Sequence, residues 1–393
     1  MSRAEPSGEE MNRPKHILLL SGASKNLVTF RQPLIKAMIA AGHQVTAIGN
    51  ENDDEVAQTL GDWGARFEFV PLARTGMNPV NDIYTFAALL RLMRRIRPDI
   101  FFGTTIKPSA YGLLAARLSG VGKRIAMIEG LGYAFGDGQE FKRKLARIAI
   151  EFLFWCTLPR ANIIIVLNRD DELYFRNLRY LSARQQIARI PSIGVNLDYY
   201  SDTALPAGPV TFVLISRLLR DKGVGEYVAA ARRVKKEVPA SRFLLVGPTD
   251  PNPSGFGKQD VEAWKAEGVI EYLGEVADVR PALAQSHVFV LPSYYREGIP
   301  RTILEAMSMG RPVIVTDTPG CRETAIDGKN GVIIPPRNVT ALAEAMLRCI
   351  HATPSELSAM GTESRRLASE NFDEKTITAA TMDLIGLRNS ASR

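Results

Sequence analysis

Short, wholly apolar runs alternate along this chain with longer stretches in which apolar positions recur every three to four residues. Uninterrupted runs mark strands covered on both faces, and the longer repeat marks the helices that cover them. In the first half the strand-like runs are His16–Leu20, Gln44–Ile48, Ile100–Phe102, Arg124–Ile128 and Asn162–Leu167. Helical patterns lie among them at Arg31–Ala41, Asp82–Ile96, Ala110–Leu118 and Glu140–Thr157. A turn-rich break, Asp198–Pro209, carries Pro206, Gly208 and Pro209. Alternation then resumes with Thr211–Ile215, Arg242–Val246, His287–Leu291, Pro312–Val315 and Val332–Ile334. The pattern predicts an α/β protein of two Rossmann-like domains, 16–202 and 203–372, behind a flexible tail at 1–15. A last helix within Asp373–Leu387 either closes the second domain or crosses back to the first.

Composition narrows the class. With 393 residues, 46% hydrophobic and 23% charged, the chain can bury two cores, and wholesale disorder is excluded. Cys156, Cys321 and Cys349 are far apart, and His16, His43, His287 and His351 form no H-E-x-x-H, so neither a disulfide framework nor a zinc site is indicated. No strict D-x-D occurs, and no metal site is expected. The apolar stretch Ile148–Leu158 is interrupted by Glu151 and falls short of the ~20 residues that span a bilayer. Ile17–Leu20 is too short for a signal peptide, which points to a cytoplasmic protein, soluble or peripheral.

The formal charge of +7 is unevenly placed. Residues 1–200 hold 26 Lys and Arg against 19 Asp and Glu, while residues 201–393 hold 23 of each. Between Arg91 and Arg147 there are 12 basic residues and 4 acidic ones. The first half therefore expects an anionic neighbour. Nucleic acid is disfavoured, since no recognition motif or interleaved aromatic patch accompanies the charge.

Open parallel sheets bind ligands beyond the carboxyl ends of their strands, so the residues following each strand are the candidates. After the first strand comes Ser21-Gly22-Ala23-Ser24-Lys25-Asn26, where small residues let backbone N–H groups approach an anion or hydroxyl, or simply form a tight turn. It is not G-x-G-x-x-G, and no P-loop occurs, which disfavours a nicotinamide oxidoreductase or a P-loop ATPase. After Thr211–Ile215 comes Ser216-Arg217, then Lys222-Gly223. Arg217 and Lys222 can converge on one diphosphate, or stand as surface charges. After His287–Leu291 comes Pro292–Ala306, in which Pro300 suits a helix first turn, and the helix should run to Met309 before Gly310 ends it. Glu297 precedes that helix and Glu305 lies about a turn inside it. Two carboxylates so placed can accept hydrogen bonds from two parts of one ligand, or are simply one loop glutamate and one solvated helix glutamate.

Glu297-x7-Glu305, Leu291-Pro292-Ser293, Glu305-Ala306-Met307-x-x-Gly310-x-Pro312-Val313 and Ser216-Arg217…Lys222-Gly223 together resemble the family 4 retaining glycosyltransferases. The segments Asn26…Phe30-Arg31-Gln32-Pro33-Leu34, Gly42-His43-Gln44-Val45 and Gly130-Leu131-Gly132-Tyr133-Ala134-Phe135 resemble the bacterial branch that builds lipid-linked or capsular oligosaccharides, including the N-acetylgalactosaminyltransferase type. The likeness runs from about His16 to Leu387.

The resemblance implies a GT-B fold, with the last helix crossing back to the first domain. It implies a nucleotide-sugar donor, UDP-linked by preference, on the C-terminal domain and a polyprenyl-diphosphate-linked sugar acceptor on the N-terminal domain. Arg217 and Lys222 would hold the diphosphate without a divalent metal or other cofactor, Glu297 would contact the donor sugar, and Glu305 the ribose. Gly22, Ser216, Gly247, Gly298, Ile299, Pro300 and Arg301 complete the expected donor site, Gly247 by admitting the nucleoside. Asn26, Arg31, Lys107 and Tyr133 are expected on the acceptor side. Where many relatives carry a histidine near the donor sugar, this chain has Glu129, either a hydrogen-bond acceptor, base or nucleophile, or a structural cap of the glycine-rich turn.

Phe141, Leu145, Ile148, Phe152 and Trp155 fall at helical spacing beside Lys142, Arg143, Lys144 and Arg147. A basic amphipathic helix with aromatics can lie on an anionic bilayer surface; the favoured reading instead packs the apolar stripe on the sheet and turns the basic residues toward the anionic inner face of the plasma membrane. A non-catalytic nucleotide-sugar-binding protein of the same fold is the alternative, which intact Arg217, Lys222, Glu297 and Glu305 argue against.

Overall fold

The computed structural model describes residues 13–72, 79–136, 141–250 and 254–387. Residues 1–12 of the expected tail lie outside them. Packing divides the chain into two units, the first comprising 1–131, 140–193 and 375–393, the second 132–139 and 194–374.

In the first unit, β1 (His16–Leu20), β2 (Gln44–Gly49), β3 (Arg66–Phe69), β4 (Ile100–Thr104), β5 (Lys123–Ile128), β6 (Ile163–Val166) and β7 (Gln186–Arg189) form a parallel sheet in the order β3-β2-β1-β4-β5-β6-β7. Leu18 of β1 lies between Thr46 and Phe101, and Ile17 to Leu20 are all fully buried. That accounts for their unbroken apolar run, because helices cover both faces. The covering helices are α1 (Ser24–Thr29), α2 (Gln32–Ala40), α3 (Asp54–Asp62), α4 (Pro79–Ile96), α5 (Ile106–Leu118), α6 (Phe141–Thr157) and α7 (Arg169–Arg176). Asp53 and Asn168 start α3 and α7 by accepting from the amides of Val56 and Asp171.

The second unit has a six-stranded parallel sheet in the order β10-β9-β8-β11-β12-β13. Its strands are β8 (Thr211–Ile215), β9 (Arg242–Val246), β10 (Glu271–Gly274), β11 (Val288–Leu291), β12 (Val313–Thr316) and β13 (Gly331–Ile334). The accompanying helices are α8 (Val224–Glu237), α9 (Lys258–Ala266), α10 (Arg280–Ala284), α11 (Arg301–Ser308), α12 (Val339–His351) and α13 (Pro354–Asn371).

The final helix, α14 (Glu374–Leu384), belongs to the first unit. Ile377, Met382, Ile385 and Leu387 enter the same core as Ile17, Leu34, Met38 and Val45. Lys123 Nζ donates to the Ile385 carbonyl at 2.7 Å, fixing the end of the segment. Residues 194–202, ahead of the expected break near 203, pack with the second unit, because Val195 and Tyr200 are buried in its core. Arg311, fully buried, donates to the carbonyls of Thr203 and Ala204 and so clamps the connecting strand against that unit. No helix among the described residues is long and apolar enough to cross a membrane.

Strand order reverses between β1 and β4 in the first sheet and between β8 and β11 in the second. Crevices open at such points beyond the carboxyl ends of the strands.

Candidate active site

In the second unit the loops after β8 and β11 flank the crevice and are tied to each other. The Asp221 carbonyl accepts from the amides of Tyr294 at 2.9 Å and Tyr295 at 3.0 Å. Lys222 Nζ is 2.5 Å from Glu297 Oε2, and the buried Ser293 hydroxyl donates to Glu297 Oε1 at 2.9 Å. Both oxygens of Glu297 are thus oriented by groups from the two sides of the switch point. Gly223, which ends the first loop, has φ 75°, and a Cβ there would lie 2.2 Å from the Pro292 carbonyl oxygen. Only glycine lets the two loops approach this closely.

Arg217 follows Ser216 at the end of β8 and is half exposed, with Nη1 3.1 Å from Asp250 Oδ2. Each cation expected to hold a diphosphate therefore carries a carboxylate, Asp250 on Arg217 and Glu297 on Lys222. Gly247 has φ 134°, and a Cβ would stand 1.9 Å from the Ser216 carbonyl oxygen, so the protein's own backbone already demands glycine there.

Gly298, Ile299 and Pro300 are buried. Pro300 caps α11 from outside rather than lying in its first turn, and Arg301 is the first helical residue. Glu305 is buried within α11, not a solvated helix residue. Its Oε1 accepts from Tyr200 Oη at 2.9 Å and Arg301 Nε at 3.1 Å. Burial pushes its carboxyl above the ordinary range, opposed by Arg301 and the Tyr200 hydrogen bond. Tyr133 falls in the segment counted with the second unit, where the Gly132 amide donates to the Arg296 carbonyl at 2.8 Å.

In the first unit Gly22 follows β1, and a Cβ on it would lie 3.0 Å from Thr105 Oγ1 at the end of β4. Asn26 lies within α1, its carbonyl accepting from the amides of Phe30 and Arg31. Lys107, in the first turn of α5, donates to Asp82 Oδ1 at 3.2 Å. Arg31, buried at the start of α2, forms an ion pair with Glu129 at the end of β5.

The apolar stripe of α6 differs from expectation. Phe141, Leu145, Ile148, Phe152 and Trp155 are between 52% and 79% exposed, so they do not pack on the sheet. The helix rests instead on Phe154, Thr157 and Arg143, the last of which is buried and so does not face outward with Lys142 and Lys144. Helical spacing alone could not distinguish this, because the face through Arg143 and Phe154 carries the same period. Asp250 and Tyr200 were not expected in the site, each being a polar residue without a spacing signal, and Ser293, although part of the Leu291-Pro292-Ser293 motif, was given no role in it.

Residues 16–168 match the glycosyl transferase 4-like family model, and residues 209–352 match glycosyl transferases group 1. The chain is 30% identical over 339 residues to the N,N'-diacetylbacillosaminyl-diphospho-undecaprenol alpha-1,3-N-acetylgalactosaminyltransferase of Campylobacter jejuni, covering 83% of this chain and 86% of that one. It is 26% identical over 302 residues to the UDP-Gal:alpha-D-GlcNAc-diphosphoundecaprenol alpha-1,3-galactosyltransferase of Escherichia coli, covering 73% and 75%. Among solved structures, sucrose-phosphate synthase from Thermosynechococcus elongatus superposes with a TM-score of 0.76 at 22% identity, over 94% of this chain and 98% of that one. Anabaena HepE in complex with UDP gives 0.72 at 19% identity, over 94% and 99%. Two Rossmann-like sheets of this order, the returning last helix and a relative of that likeness along most of both chains place the protein in the family 4-like, group 1 glycosyltransferases of GT-B fold.

Proposed function

We propose that this glycosyltransferase moves a hexose or N-acetylhexosamine from a nucleotide-diphosphate sugar, UDP-linked by preference, to a polyprenyl-diphosphate-linked sugar in bacterial glycan or capsule assembly, with retention of configuration. The observation that carries the reading is the Lys222–Glu297–Ser293 cluster across the switch point of the second unit. A diphosphate there draws Lys222 and Arg217 off their carboxylates, which frees an oriented Glu297 for the hydroxyls of the donor sugar. As the bond from the anomeric carbon to the phosphate oxygen breaks, negative charge grows on the diphosphate. The two cations then bind more strongly than in the ground state, which is the condition for acceleration. Glu305, Tyr200 and Arg301 offer a buried polar seat suited to the ribose. The acceptor hydroxyl bonds to the anomeric carbon, and its proton leaves with the departing phosphate oxygen. The named relatives in Campylobacter and Escherichia, both acting on undecaprenol-diphosphate sugars, support the acceptor class.

The exposed stripe of α6 supports work at an anionic membrane surface. Lys142, Lys144 and Arg147 are exposed beside it, and the Phe152 and Trp155 rings stack 6.0 Å apart. A helix with outward aromatics and lysines gains from inserting its apolar edge among headgroups and lying against anionic lipid. The test is a panel of nucleotide sugars incubated with membrane lipid extract, with product lipids read by mass spectrometry. Addition of one sugar to a polyprenyl-diphosphate lipid is expected. Nucleotide-sugar binding without turnover across the panel would leave only the non-catalytic reading.

A further inference from the structure

Arg31 is 3% exposed and begins α2, two strands away from Glu129 in the sheet order. Its guanidinium spans the carboxyl end of β4. Nη2 pairs with Glu129, and Nη1 lies 3.5 Å from Met127 Sδ. Thr105, just after β4, has φ 64°, and its amide donates to the Met127 carbonyl at 2.9 Å. About a fifth of the Glu129 side chain remains exposed, at 22%, beyond the strand ends of the first unit. One part of the carboxylate is therefore anchored in the interior and the other faces outward.

A buried guanidinium requires a counter-ion, and the counter-ion so held is fixed in orientation. Such a carboxylate makes a poor nucleophile, because its charge is shared with the arginine and its orientation is fixed. It makes a good fixed acceptor for a hydroxyl. We infer that Glu129 accepts a hydrogen bond from a hydroxyl of the acceptor saccharide on the first unit, and that Arg31 is its positioning residue. Glu129 forms no bond to the transferred sugar. The inference rests on the proposed transfer to a lipid-linked sugar and names the residue that orients that substrate.

The test uses the full chain with undecaprenyl-diphosphate-linked N-acetylglucosamine and a UDP-hexose or UDP-N-acetylhexosamine. Glu129→Gln is expected to raise the acceptor KM about tenfold or more while the donor KM stays within about twofold, as loss of one charge-assisted hydrogen bond predicts. Because Glu129→Gln strands a buried arginine, the double variant Arg31→Met with Glu129→Gln is measured beside it. Its melting temperature is expected to return toward the parent value while the acceptor KM remains high. Recovery of the acceptor KM in the double variant would make the pair purely structural and overturn the inference. So would a glycosylated Glu129 peptide trapped during turnover. Binding of the same lipid in detergent, titrated without donor, makes the comparison independent of turnover. A parent protein that binds the lipid but transfers nothing would sink the proposed reaction and leave the Glu129 comparison standing.

Discussion

At the scale of single residues, the proposed donor site is a set of cations already provided with counter-ions. Glu297 is held by Lys222 and Ser293, so Glu297→Ala removes an oriented carboxylate without opening the core. Transfer is expected to fall by about 10²–10³-fold, as when one preorganised polar contact to a transition state is lost. Circular dichroism should be unchanged, and near-parental turnover would refute the assignment. Asp250 is the opposite case. It competes with a diphosphate for Arg217, so Asp250→Asn is expected to tighten UDP binding by about 0.5–1 kcal/mol, the scale of a half-exposed ion pair. Calorimetric titration of UDP reads this directly, and weaker binding would mean that Asp250 itself serves the nucleotide. Glu297 and Lys222 were singled out in sequence through the family motif, since their spacing alone fits ordinary surface charges equally well. Tyr200 was not, because a tyrosine in a connecting segment looks the same whether or not it reaches a carboxylate, and the motif that contains Ser293 did not say which group its hydroxyl meets.

At the scale of elements, the interior strands and the buried edge strand β13 were readable, and the three partly exposed edge strands were not. β1 and β8 are covered on both sides, and their unbroken apolar residues announce it. β3, β7 and β10 are partly exposed and carry Arg66 and Glu68, Gln186 and Arg189, and Glu271, so no apolar run marks them. For α6 the periodicity was clear but its burial was not, since two faces of the helix share the apolar period. Reversing charge at Lys142 and Lys144 with Phe152→Ser and Trp155→Ser is expected to reduce cosedimentation with anionic vesicles at low salt. Thermal stability should hardly move, because all four side chains are exposed. Unchanged sedimentation would exclude this helix as the lipid contact. Arg143→Glu, by contrast, should destabilise the fold, since Arg143 is buried.

His287 gives the second unit an acid sensitivity at the same scale. Its Nδ1 accepts from the Thr211 amide at 3.1 Å, and burial followed by nearby Arg311 lowers its pKa, opposed by a hydrogen bond to the Pro206 backbone. The unfolded chain therefore takes up the proton first. Stability is at its full value above the ordinary histidine value of 6.5 and is lost as pH falls from there through the lowered folded value. Urea midpoints should drop as the pH falls below about 6.5, and His287→Gln should flatten that part of the profile. An equal drop in the variant would place the effect elsewhere.

At the scale of the whole molecule, the two units should be separable by ligand and by truncation. UDP at 100 times its dissociation constant adds about 2.7 kcal/mol to whatever binds it, so the second unit's transition should rise and the first unit's should not. Ending the chain at Asp373 removes Ile377, Met382, Ile385 and Leu387 from the first unit's core, each worth about 2 kcal/mol of burial. Hydrogen exchange should then show protection lost in β1, β2 and β4 while β8 and β11 keep theirs. Uniform loss in both units would mean that they do not melt separately.

The return of α14 also bears on the order in which the protein is made. A ribosome delivers residues 13–193 first, but the core they form lacks four of its side chains until the last stretch of chain emerges. The second unit is complete once residue 374 is out, before the older unit can close. Birth order and completion order are inverted. Until its last helix emerges, the first unit lacks Ile377, Met382, Ile385 and Leu387 from its native core.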